Sequence, residues 1–360
     1  MHAIWTPDGA GIVFAAAVNA DETMYAEVES HLFRVSAVGG EPERLTKPGN
    51  SYSRPRYSPG AAQLFAQYRR GPSQGRIYSL TRLGRLDPAE AMTDVADRWD
   101  LSVANYAFSP DGRTIYVEAE DEGFDKRFRM PSSGGTVELL LPVKEGGYNN
   151  PLPVPGGLIA RFGSSVQPPQ IVRIDPVSGA HRLLTNFDAD RVASLDWRQA
   201  EHFWFTAKNG KRIHNLITYP PRFEPSKKYP LVVFPHGGPN SMSKDQFSTR
   251  WNFHLLVSQG YVLMQTNYTG STGFGEKFAD DIERDVLRGP ARGGRNYRTL
   301  RAPSGLIGTK GAGSPASNYS KRFYFANSFL NTTPFCITNR TRSSSPTSFR
   351  GSPATAITSA

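Results

Sequence analysis

Cysteine is almost absent from this chain: of 360 residues one is Cys, at position 336. That excludes a disulfide-stapled scaffold and a cysteine-built zinc cluster. Long apolar runs are absent too, and no stretch approaches the roughly 18 residues of a membrane-spanning helix, so no membrane partner is expected. The opening MHAIWTPDGAGIVFAAAVNA has an apolar run at 12–18 but no basic segment before it, and Pro7, Asp8 and Gly9 break the text early. No signal peptide is read, which leaves the cytoplasm as the default compartment.

A third absence is local. No His follows His254 and no Asp or Glu follows Asp285, while residues 286–360 hold eleven basic residues, nine of them Arg. With 42 basic and 32 acidic residues in all, the first 285 positions hold 31 basic groups and all 32 acidic ones, so the formal charge of +10 belongs to the last 75 residues. A pI near 9.7 would point to nucleic acid if the charge decorated a folded face. Here it does not, and nucleic acid is a disfavoured partner; that reading would rest on the tail's Arg residues and on bases stacking over Phe323, Tyr324 and Phe325.

What is present begins with a repeat. An aromatic-Ser/Thr-Pro turn followed by a short apolar strand occurs as WTPDG from Trp5, YSPG from Tyr57 and FSPDG from Phe108, with a weaker PVPGG from Pro153 and a possible fifth copy at Leu195. A second unit alternates with it: HLFRVSAVGGEPERLT from His31, RIYSL from Arg76, FRMPSSGGTVELLL from Phe128 and QIVRIDPVSGAHRLLT from Gln170. Each half is an alternating strand closed by Pro-Asp-Gly or Gly-Gly, which is how hairpins are written. Asp8 and Asp111 in these turns are structural, capping the bend. The first unit recurs at steps of 52, 51, 45 and 42 residues, the span of a four-stranded propeller blade. Residues 1–205 are therefore expected to form an incomplete β-propeller of four to five blade-like repeats.

Beyond a Pro- and Lys-bearing connector at 220–228 the pattern changes. LVVFPHGGP starts as an unbroken apolar strand, WNFHLLVSQG reads as a short helix stopped by Gly260, YVLMQTNY is another buried strand, and GSTGFGEKFADDIERDVL turns through glycines into an acidic amphipathic helix. Strand, helix, strand, loop and helix open an α/β domain. The spacing of Gly270, Gly273 and Gly275 fits neither a dinucleotide fingerprint nor a P-loop.

The strings YPLVVFPHGGP and GYVLMQTNYTGSTGFGEKF together resemble the start of the catalytic domain of the prolyl oligopeptidase family of serine peptidases, in the branch of acylaminoacyl-peptidases and dipeptidyl-peptidase IV-like enzymes. The likeness in motifs covers about residues 229–287. It implies a propeller followed by an α/β-hydrolase domain, short peptides as substrates, an acyl-enzyme route, and no metal or organic cofactor. Oligomeric state is left open. The domains are then 1–205 propeller, 206–287 the N-terminal part of the α/β-hydrolase, and 288–360 a disordered basic tail.

That route needs a Ser nucleophile, a His base, an orienting carboxylate and backbone donors for the oxyanion. The resemblance places the oxyanion loop at Gly237 and Gly238, in the turn that opens with His236, which shapes the loop; which of the two glycines donates is left open. Nothing matches G-x-S-x-G; the nearest string, TGSTG around Ser271, has Thr269 where the first Gly belongs. His254 reads as a packed or surface residue. With no later His or carboxylate, a triad in the order Ser, Asp, His is not expected and the chain is expected to be inactive; a non-catalytic propeller interaction protein is the alternative. The acids vanish where the likeness stops, so the tail is expected to be translated out of frame and the domain cut short. Translating the other two frames of the coding DNA beyond codon 285 tests this: absence of G-x-S-x-G followed by Asp and His in both would refute it.

Overall fold

A computed structural model describes residues 2–282, apart from positions 20, 23–27, 61, 72–77, 89–90, 97, 208 and 239, and beyond 282 only four two-residue strands. Four sheets follow one another, each of four antiparallel strands in sequence order. The first is β1 (Ala3–Trp5), β2 (Gly11–Ala17), β3 (Ser30–Ser36) and β4 (Glu43–Arg44); the second is β5 (Asn50–Tyr57), β6 (Leu64–Arg70), β7 (Arg82–Leu86) and β8 (Met92–Asp94). The third is β9 (Asn105–Phe108), β10 (Thr114–Asp121), β11 (Phe124–Pro131) and β12 (Glu138–Leu139), and the fourth is β13 (Gly147–Val154), β14 (Gly157–Gly163), β15 (Gln170–Ile174) and β16 (His181–Leu183).

The repeated turns explain these blades. In the first, Thr6 N–H donates to Gly11 O at 2.8 Å while Asp8 accepts from Ala10 N–H at 3.0 Å; in the third, Ser109 N–H donates to Thr114 O at 2.8 Å while Asp111 accepts from Arg113 N–H at 3.1 Å. The Asp carboxylates thus cap the bend between strands one and two of their blades, as the turn chemistry predicts. One expected strand is corrected. The third strand of blade two is Arg82–Leu86, a register that buries Leu83 fully between blades two and three; of the RIYSL expected there, residues 78–80 form no strand and 76–77 lie outside the described residues. The fifth copy at Leu195 forms no blade: helix α1 (Ala189–Ala193) precedes it and Trp197 instead stacks on His254, with centroids 4.9 Å apart.

Blades pack face to face. Val13 and Leu32 meet Tyr52 and Tyr68 between the first two, Phe65 and Leu83 meet Tyr106 and Ile115 between the next, and Tyr116 meets Tyr148 and Leu158 between the last. Burying each such aliphatic side chain contributes roughly 1.5–3 kcal/mol. The innermost strands β5 and β13 each bulge where a residue preceding proline takes a left-handed conformation, Arg54 (φ 48°) and Asn150 (φ 54°). The fully buried Tyr106 hydroxyl donates to the carbonyls of Arg54 (2.8 Å) and Phe65 (3.1 Å), tying the first of these bulges to the neighbouring blade.

A fifth sheet starts with β17 (Glu201–Thr206) and β18 (Arg212–Thr218), then β19 (Leu231–Pro235), helix α2 (Phe253–Val257) and β20 (Val262–Asn267), in the spatial order β17-β18-β20-β19. β19 and β20 are parallel, joined by a crossover through α2, and every residue of β20 is buried. Helix α3 (Glu276–Asp280) follows the glycine loop, and the remainder of the expected acidic helix, from Glu283, lies outside the described residues. In the tail read as unstructured, the described strands are β21 (Arg301–Ala302), β22 (Gly305–Leu306), β23 (Tyr324–Phe325) and β24 (Phe335–Cys336); the first two pair with each other and β23 lies parallel to β19. Among the described residues no helix is long and apolar enough to cross a membrane.

Candidate functional site

The parallel register Leu231↔Val262 to Pro235↔Thr266 brings the C-terminal ends of β19 and β20 to one level. The loops that leave those ends, 236–243 and 268–275, therefore lie side by side, at the end of a parallel sheet where α/β proteins bind ligands.

Four side chains fasten one loop to the other. Tyr268 stacks on the His236 ring (4.7 Å, 21°) and its hydroxyl donates to His236 O at 2.8 Å. Asn240 Nδ2 donates to Gly270 O at 3.1 Å and to Ala279 O at 3.2 Å. Asn267 accepts from Ser243 N–H at 2.7 Å and donates to Ser243 O at 2.8 Å. Ser271 Oγ lies 2.7 Å from His236 Nε2 and 2.7 Å from Tyr268 O.

The Ser271–His236 pair has the spacing of a nucleophile and its base, but not the surroundings. Ser271 is fully buried. Burial also lowers the His236 pKa, so the ring is neutral and its one N–H donates either from Nε2 to Ser271 Oγ or from Nδ1 to Gly237 O, which is 3.0 Å from Nδ1. A carbonyl, not a carboxylate, thus faces the second nitrogen. The pair is an anchor for the loop, and the structure brings no triad together among the described residues. His254, buried and stacked on Trp197, is packed in α2 as expected.

Gly237 and Gly238 sit on this anchored loop, and neither N–H donates to another described residue. Gly238 has φ 139°, and a Cβ there would come within 2.9 Å of Asn240 N, so glycine is required. Pro239 lies outside the described residues. The glycines of the second loop are enclosed: a Cβ at Gly270 would meet Ile282, one at Gly273 Met242 and Glu120, and one at Gly275 Asp100. The Asp100 carboxylate against Gly275 is unsuited to a phosphate. No group of three or more His, Cys, Asp or Glu side chains among the described residues is placed to hold a metal ion.

The sequence alone does not single out the groups that join this region to the blades. Lys244 Nζ bridges Glu120 (2.9 Å) and Asp125 (2.7 Å) of blade three; burial opposes its charge, but the two carboxylates outweigh that and raise its pKa. Asp245, buried, accepts from Gly146 N–H at 2.6 Å, from Ser165 N–H at 2.7 Å and from the Gln199 amide. In the linear text both look like ordinary surface charges. Only the burial of Asp245 and the distance in sequence to its partners reveal what it does.

Residues 246–289 match the prolyl oligopeptidase family. The chain is 30% identical over 316 residues to dipeptidyl-peptidase 5 of Arthroderma otae, covering 82% of this chain and 42% of the relative, and 32% identical over 232 residues to dipeptidyl-peptidase 5 of Trichophyton equinum, covering 63% and 31%. In fold it is similar to an acylaminoacyl peptidase of Pyrococcus horikoshii, with a TM-score of 0.63 at 21% identity, over 82% of this chain and 45% of that one. The chain thus spans less than half the length of the relatives it matches.

Proposed function

The chain belongs to the prolyl oligopeptidase family, and on that premise we propose that residues 229–282 are the opening part of a serine peptidase domain built to cleave short peptides through an acyl-enzyme. The observation that carries this reading is the anchored turn at His236: it holds the N–H groups of Gly237 and Gly238 at the C-terminal end of a parallel strand, where a backbone donor can meet a developing oxyanion. The blades beside it would limit access to that end of the sheet. The name of the curated relatives, dipeptidyl-peptidase 5, favours release of dipeptides as the reaction of the intact domain.

These 360 residues supply the oxyanion loop but no triad in the order Ser, Asp, His, since no acid follows Asp285 and no His follows His254. The proposed consequence is that the chain does not turn over peptides by itself. A fluorophosphonate probe on the purified chain tests it. No labelled serine is expected, and stoichiometric labelling of any serine, Ser271 included, would overturn the assignment.

A further inference from the structure

The β10–β11 hairpin closes through Glu122 (φ 50°) and Gly123 (φ 88°), a two-residue turn with both φ values positive that matches strand twist. Its tip is pressed against the fifth sheet and its loops. Glu122 N–H donates to Gly273 O at 3.0 Å and Asp245 N–H donates to Gly123 O at 3.0 Å. The tip rests on the half-buried His202 and the buried His214: Phe124 stacks on His202 (4.2 Å, 11°), and an added Cβ at Gly123 would clash with His214 Cε1.

The protons on these histidines follow from their partners. Ser243 fixes the Asn267 amide, whose Oδ1 accepts and whose Nδ2 donates, so Nδ2 also donates to His214 Nδ1 at 2.9 Å. His214 therefore carries its hydrogen on Nε2 and gives it to His202 Nδ1 at 3.0 Å. His202 is left with its hydrogen on Nε2, which is buried and has no partner among the described residues. Both rings are neutral in this arrangement. The nitrogens still free to take a proton are the two Nδ1 atoms, and each already faces an N–H. A proton on either ring and the run of hydrogen bonds from Asn267 through His214 to His202 exclude one another.

The charges around the pair reinforce this. Lys126 on β11 opposes further positive charge, although Asp121 holds its Nζ at 2.8 Å. Arg212 on β18 lies over the Trp204 ring beside His214. Asp245 favours a proton on His202, but its carboxylate accepts from Gly146, Ser165 and Gln199, and Glu120 and Asp125 are bound to Lys244. Burial outweighs Asp245 and takes His202 down to about 4 and His214 to about 3.

We propose that His202 and His214 form a proton-operated latch that holds the blade-three hairpin against the fifth sheet while both rings are neutral and releases it on acidification. The latch does not depend on catalysis by this chain.

Hydrogen exchange of the whole chain between pH 7.5 and 4, corrected for intrinsic rates, tests it. Protection of the Glu122 and Asp245 amides is expected to drop at least tenfold as the pH falls, while blade amides such as Phe65 and Val117 stay protected. In the His202→Gln variant, whose amide oxygen keeps an acceptor for His214, only His214 is left to titrate and the drop is expected to shrink severalfold. Equal loss across all blades, or an unchanged drop in the variant, would overturn the latch. Histidine-selective ¹⁵N NMR of the unaltered chain covers a variant that fails to fold: both rings should read as Nε2–H tautomers at pH 7 and titrate together with hairpin release. Titration near 6.5 without release would refute it.

Discussion

Replacing Asp245 by Asn exchanges one carboxylate oxygen for an NH₂ of nearly the same size, yet it should loosen the junction. The carboxylate accepts from the Gly146 and Ser165 amides and from Gln199, with all three donors on the blade side of the junction. An Asn at that position keeps one acceptor oxygen and turns an NH₂ toward a donor, so at least one buried N–H is left without a partner. A hydrogen bond to a charged group contributes roughly 1.5–3 kcal/mol and an orphaned buried donor costs about 1–3 kcal/mol, which together give a loss of about 2.5–6 kcal/mol. Urea unfolding followed by tryptophan fluorescence measures the loss, and hydrogen exchange at Gly146 and Ser165 locates it. Both amides should exchange faster while the blade-two and blade-three cores remain protected. A loss below about 1 kcal/mol with both amides as protected as before would mean that water or a shifted loop replaces the carboxylate, and the reasoning would fail.

Tyr106→Phe should cost about 1–3 kcal/mol in the same urea assay, because it strips the donor from two buried carbonyls, Arg54 O and Phe65 O; an unchanged midpoint would show that those carbonyls find another partner. Acid should destabilise the chain with a defined sign. His202 binds a proton near pH 4 when folded and near 6.5 when unfolded, so the unfolded state takes up protons first and stability falls with pH below about 6.5, by roughly 3 kcal/mol at pH 4 from this group. The Tm of the His202→Gln variant should therefore drop less between pH 7 and 4.5 than that of the unaltered chain, and parallel drops would refute the assignment.

The blades were legible because their determinants are local. The turns at Asp8 and Asp111 close between residues five apart, and the same few letters recur in the text. RIYSL misled because 76–80 and 82–86 both suit a strand; only packing against blade three decides for Leu83. The bulges at Arg54 and Asn150 were hidden because a proline after a residue signals extended backbone, not a left-handed one. In the candidate site, the loop at Gly237 and Gly238 could be read from its motif, and so could the loop around Ser271. What Ser271 does could not: a serine between glycines reads as a nucleophile elbow or a turn, and its anchoring role appears only with the stacked His236 and Tyr268 beside it. Lys244, Asp245, His202 and His214 gave no signal at all, since their partners in the blades lie far away in sequence.

That separation also sets an order of events for the chain as it is made. Each blade closes through hairpins between neighbouring strands, whereas the links from the four blades to the junction join residues 80 to 196 positions apart, from Ser165–Asp245 to Leu80–Glu276. Closing loops of that size costs entropy that only a preformed surface can offset, so local structure forms first and the junction last. Blade three must therefore wait, with its Glu122–Gly123 tip and the acids Glu120 and Asp125 in water, until β20 has been synthesised and the loop carrying Lys244 and Asp245 can be set. Until then the chain is a row of folded blades whose inner end has no partner, and this interval is when it is most open to proteases and to its own copies.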